Sequence, residues 1–82
     1  MNNMTRTISE LWKTLPENQQ KQIAAEVMVT GGVSYPTVYT WISGRRRPKF
    51  LYRQLLKNAI RKYAGVNVPI VELFPPKSEE ES

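Results

Sequence analysis

Neither cysteine nor histidine occurs among the 82 residues. The first absence removes a disulfide framework, a thiolate zinc site and a thiol nucleophile; the second removes the commonest general base and metal ligand. Catalysis, a metal centre and a bound cofactor are therefore not expected, because Ser, Thr and Tyr are present without a base to activate them. Apolar runs stay far below the roughly 20 residues needed to cross a bilayer, and the first seven residues have no apolar segment of the kind that directs secretion. The expected setting is the cytoplasm, with no membrane partner. At this length only about 60% of the unfolded surface is buried on folding, so one domain with one small core is expected.

Acidic residues are missing from one long stretch. Residues 27–71 contain no Asp or Glu yet hold Arg45, Arg46, Arg47, Lys49, Arg53, Lys57, Arg61 and Lys62. The formal net charge of +5 understates this asymmetry: the last eleven residues carry one Lys against four Glu, so the preceding 71 sum to +8. A block of that sign attracts polyanions, and nucleic acid fits better than an anionic membrane because the basic helix described below keeps its apolar face for a core. Arg45, Arg46 and Arg47 stand in succession and repel one another unless a counter-anion is near, which points to phosphate. Arg53, Lys57, Arg61 and Lys62 read as solvated helix surface. Beyond Pro75, the prolines and glutamates of the end segment cannot bury enough apolar area to offset chain entropy. Residues 76–82 thus read as a disordered acidic tail, and residues 1–75 as the folded domain.

Five helices and no strand are predicted. Thr7 and Glu10 have the spacing of a capping box, and Ile8, Leu11, Trp12 and Leu15 follow at helical intervals. Thr14 and Glu17 repeat that spacing around Pro16, whose missing N–H costs nothing in a first turn. The second helix runs to about Met28 with Ile23, Ala24, Val27 and Met28 as its apolar stripe, its Gln19, Gln20 and Gln22 side faces water, and the Gly31-Gly32 pair stops it. Ser34 is a suitable N-cap for a short third helix in which Val38, Trp41 and Ile42 point inward, while Tyr35, Thr37, Tyr39, Thr40 and Ser43 stay outside. A longer helix over about 49–64 follows, with Leu51, Leu55, Leu56, Ala59, Ile60 and Tyr63 as its apolar face and Gly65 as its stop. A last short helix after Pro69 carries Ile70, Val71, Leu73 and Phe74 to the core.

The order of these features resembles the lambda-repressor-like, or Cro/C1-type, helix-turn-helix family. The likeness is carried by Ile23-Ala24 in the first motif helix, Val33-Ser34 before the second, Thr37-Val38 within it, the phrase Trp41-Ile42-Ser43-Gly44 and Pro48 after the basic run. It continues through Ala59-Ile60-Arg61-Lys62-Tyr63-Ala64-Gly65-Val66, Pro69 and Glu72-Leu73-Phe74-Pro75, covering roughly residues 15–75. The resemblance implies an all-α bundle of about five helices whose third helix reads DNA. By the same resemblance Gln20 touches the backbone at the start of the first motif helix, Ser34, Tyr35, Pro36 and Thr40 face bases or phosphates, and Arg45, Arg46 and Arg47 lie along phosphates. Two departures stand out. Between Ile23 and Gly44 the chain is longer than the family spacing, with the excess at residues 28–31, so an enlarged turn is expected there. No Arg, Asn or Gln lies within residues 34–43 to pair with a base edge bidentately.

The function expected from these features is sequence-specific binding of double-stranded DNA by a small bacterial or phage transcriptional regulator. Its expected contact set is Gln20, Ser34, Tyr35, Thr37, Tyr39, Thr40, Arg45, Arg46, Arg47 and Lys49, with thymine-methyl contacts by Thr37 or Thr40, base contacts by the arginines, or DNA shape as the sources of specificity. One short helix reads few base pairs, so a homodimer on a two-fold symmetric site is expected, and the apolar segment 66–74 is its candidate pairing surface. The alternative is a protein-interaction module of the same fold, an antitoxin-like partner or accessory subunit with a protein partner and little DNA specificity.

Overall fold

The capping box at Thr7 forms: Thr7 lies in extended backbone and its Oγ1 accepts the Glu10 N–H at 3.4 Å, opening α1 (Ile8–Thr14). The computed structural model describes residues 7–75, and the expected acidic tail at 76–82 lies outside the described residues. Within them the elements are α1, α2 (Glu17–Gly31), α3 (Tyr35–Ile42), α4 (Phe50–Ala64) and α5 (Ile70–Leu73), with no strand among the described residues. Their Cα radius of gyration is 12.2 Å, near the about 11–12 Å of a folded chain of this size.

The second capping signal behaves differently from its sequence reading. The Thr14 hydroxyl turns back to the Leu11 carbonyl at 2.7 Å, inside α1, and Pro16 takes the N-cap position of α2. Gln20, expected to face water, instead closes the end of α1. Its Nε2 donates to the carbonyls of Leu15 at 3.2 Å and of Trp12 at 2.7 Å, the latter also accepting the Leu15 N–H at the helix end.

Residues 28–31 correct a second expectation. They form the last turn of α2, so the surplus residues lengthen the helix and the turn is short. Gly32 ends the helix because it adopts φ 67°, a left-handed geometry that costs other residues a Cβ clash, and its N–H and that of Val33 both bond to the Met28 carbonyl. Gly31 matters for space: a Cβ there would lie 3.1 Å from Tyr52 Cε1 and 3.3 Å from Leu55 Cδ1. The missing side chain lets the end of α2 approach α4, the pair with the most extensive packing.

Between these helices lies one core, in which Ile23, Val27, Val38 and Leu56 are wholly buried and Leu11, Ile42, Ile60 and Leu73 nearly so. No polar or charged side chain is buried among the described residues. The inward face of α4 is offset from the expected one. Tyr52 packs against the core and stacks on Trp41 with ring centroids 4.9 Å apart, whereas Leu51 is 63% exposed. With about 100° between successive residues, 52, 56, 59, 60 and 63 share one stripe and 51 falls off it. Val71, also expected inside, is 60% exposed. The single turn of α5 has one inward side, and Leu73 occupies it, with Phe74 buried just after the helix. Across the outside of α2 and α4, the Tyr63 hydroxyl donates to Glu26 Oε1 at 2.9 Å and Lys62 Nζ lies 3.6 Å from the same oxygen. Among the described residues no helix is long and apolar enough to cross a membrane.

Candidate functional site

The third helix is short, and its position is set from one side only. Val38, Trp41 and Ile42 are buried against the bundle, where α3 packs on α2 and α1 and Trp41 also stacks on Tyr52 of α4. At about 100° per residue, the direction opposite these three is occupied by Pro36, Tyr39, Thr40 and Ser43, the i, i+3, i+4, i+7 ridge of a helix. Pro36, Tyr39 and Ser43 are exposed and Thr40 is half-buried. Tyr35 and Tyr39, 48% and 47% exposed, form an i,i+4 pair with ring centroids 6.2 Å apart along one edge of this ridge.

The hydroxyls of α3 are tied locally. Thr40 Oγ1 donates to the Thr37 carbonyl at 2.6 Å, and Ser43 Oγ donates to the Thr40 carbonyl at 3.3 Å. Ser34 Oγ and Thr37 Oγ1 share a hydrogen bond at 3.2 Å. Ser34 does occupy the N-cap, but its side chain makes no bond to the backbone N–H groups of the first turn.

Each end of α3 meets a different part of the expected contact set. At the N-terminal end a hollow of ≈ 120 Å³ is lined by Trp12, Glu17, Gln20, Lys21 and Tyr35. Gln20 is therefore next to the third helix, as expected, although both protons of its amide group face α1 carbonyls rather than solvent. Lys21 was absent from the expected set. It is exposed, paired at 3.6 Å with Glu17 one turn earlier, and only the packing of α3 on α2 brings it beside Tyr35.

At the C-terminal end the basic loop folds directly onto the helix. Ser43 N bonds to the Tyr39 carbonyl, Gly44 N to that of Trp41, and Arg46 N to that of Thr40 at 3.1 Å. Arg45, Arg46 and Lys49 are exposed, and an open groove of ≈ 930 Å³ beneath them has Trp41, Tyr52, Leu73 and Phe74 among its apolar lining residues. Arg47 separates from its neighbours. Half-buried, it donates from Nη1 to the Pro75 carbonyl at 2.8 Å and pins the end of the described chain against the loop.

The basic residues of α4 are also distributed between surface and structure. Arg53 Nη1 donates to the Pro48 carbonyl at 2.7 Å while its guanidinium lies 5.6 Å from the Phe50 ring centroid, so it braces the start of α4. Lys57 Nζ donates to Asn67 Oδ1 at 3.1 Å. The Glu26 carboxylate, with Tyr63 adding to it, raises the Lys62 ammonium above its ordinary pKa. In segment 66–74, expected to offer a pairing surface, Val68, Leu73 and Phe74 are core residues, Val66 and Ile70 are half-buried, and Asn67, Pro69 and Val71 are exposed. Among the described residues no cluster of three carboxylate, histidine or cysteine side chains is placed to hold a metal ion.

No protein-family model matches the chain, and neither the curated proteins nor the solved structures include a match to it.

Proposed function

We propose that the protein binds double-stranded DNA by laying the outer ridge of α3 in the major groove while Arg45, Arg46 and Lys49 neutralise the flanking phosphates. In this reading α2, the Gly32 turn and α3 form a helix-turn-helix of the lambda-repressor-like kind, with one more turn on its first helix. The major groove is about 12 Å wide and admits one helix. One observation carries the proposal: the unpacked ridge of α3 runs into a loop whose exposed cations lie in a sequence stretch with no acid at all, from residue 27 to residue 71. A protein surface of that composition gains most from a polyanion, through displacement of its condensed counterions. Tyr35 and Lys21 at the other end of α3 extend the strip along the backbone. Each copy reads few base pairs, so a homodimer on a symmetric site supplies the specificity of a transcriptional regulator.

Paired replacement of Arg45 and Arg46 by Ala tests this. DNA affinity in a gel-shift titration against duplexes enriched from a random pool should fall at least tenfold, with the helical circular dichroism unchanged, because neither guanidinium packs into the core. Undiminished affinity would refute the proposal. A protein-docking module is the second reading, favoured by the exposed Phe50 and Leu51 beside the basic loop, at 56% and 63% exposure. It requires that no duplex be enriched from the random pool.

A further inference from the structure

Resting on that DNA reading, we infer that α3 selects A·T base pairs by packing Thr40 and its ridge neighbours against the C5 methyl group of thymine. Direct readout through hydrogen bonds needs donors, and this ridge has almost none to offer. The helix sequence YPTVYTWI contains no Arg, Lys, Asn or Gln, and Pro36 lacks even a backbone N–H. The hydroxyl protons of Thr40 and Ser43 already point into the carbonyls of Thr37 and Thr40. Among the described residues, Tyr39 retains the one uncommitted side-chain donor of the ridge.

What the ridge presents instead is the proline ring, the tyrosine ring, and a threonine whose second branch is a methyl group. Thr40 also keeps the lone pairs of an oxygen whose proton is engaged elsewhere, so it acts as an acceptor beside a methyl. In the major groove an A·T pair offers the adenine N6–H donor and the thymine methyl, a match to both. A G·C pair offers the ridge the same inventory, two acceptors and one donor, the cytosine N4–H, but carries no methyl. The methyl is therefore the group by which a ridge poor in donors prefers A·T over G·C.

The probe is a duplex recovered by selection from a random pool, resynthesised with deoxyuridine in place of thymidine at one position at a time. Uracil keeps every hydrogen-bonding group and loses the methyl alone. At one or more positions per half-site, affinity should drop about fourfold, the factor for one methyl-sized apolar group leaving water. Thr40→Ser keeps the oxygen, loses the methyl, and should bind the thymine and uracil duplexes equally at that position. Thr40→Val keeps a methyl, loses the oxygen, and should retain the preference for thymine. Equal binding of thymine and uracil duplexes by the unaltered protein at every position overturns the methyl inference, needs no variant to fold, and leaves DNA binding standing. If selection enriches no duplex, the DNA reading itself has failed.

Discussion

Glu26 is the last acid before the long basic stretch, and two side chains of α4 converge on it. Its carboxylate accepts the Tyr63 hydroxyl proton and lies within ion-pair range of Lys62, linking the outer edges of the two longest helices. The Lys62 end is 61% exposed, and such pairs are weak in water. The hydrogen bond from Tyr63 is better sheltered, so Tyr63→Phe should lower unfolding stability by about 1 kcal/mol in a urea titration, with DNA affinity unchanged. A stability equal to that of the unaltered protein would show that water replaces the bond at no loss. Residue by residue, the basic run divides in the same way. Arg45 and Arg46 remain outside, whereas Arg47 and Arg53 are fastened to backbone carbonyls, a distinction no local sequence signal carries.

At the scale of the helices, the close approach of α2 to α4 depends on the absence of a side chain at Gly31. Tyr52, the first atom a Cβ would meet, is itself stacked on Trp41 and has little freedom to withdraw. Gly31→Val should therefore cost about 2 kcal/mol or more by overpacking, read as a lowered thermal midpoint, despite valine's better helix propensity. A raised midpoint would mean the two helices separate easily. The starts of α1 and α3 and the stops after α2 and α4 were legible in advance because caps, prolines and glycines act through local backbone geometry. Tyr52 and Leu51 were exchanged because adjacent apolar residues near a helix start leave the phase of the stripe open until a partner is known. Gln20 and Thr14 were misread for a related reason: a polar side chain near a helix end has several carbonyls in reach, and packing selects among them.

For the whole molecule, the charge segregation seen in the sequence becomes a cationic strip only once α3 and its following loop fold together. In the proposed dimeric complex, exposed Arg45, Arg46 and Lys49 would supply three phosphate contacts per copy and six for a pair. The logarithm of the affinity should then fall against the logarithm of salt with a slope near −5, and stay level between pH about 5.5 and 7, since histidine, the side chain that titrates there, is absent. A slope near zero, or an affinity that changes across that pH interval, contradicts the scheme. Segment 66–74, the expected pairing surface, places Val68, Leu73 and Phe74 in the core of a single copy and leaves Val71 exposed.

By itself the amino-acid sequence determined the all-helical class, the number of helices, most of their ends and the sign of the exposed field. Those properties follow from periodicity, capping chemistry and charge, each of which acts over a few residues or sums over the chain. Only the folded structure decided the choice of Tyr52 over Leu51, the inward turn of Arg47 and the local bonds that leave α3 a methyl-bearing ridge. Each of these depends on which groups from distant parts of the chain, or which carbonyl among several near ones, occupy the same few ångströms.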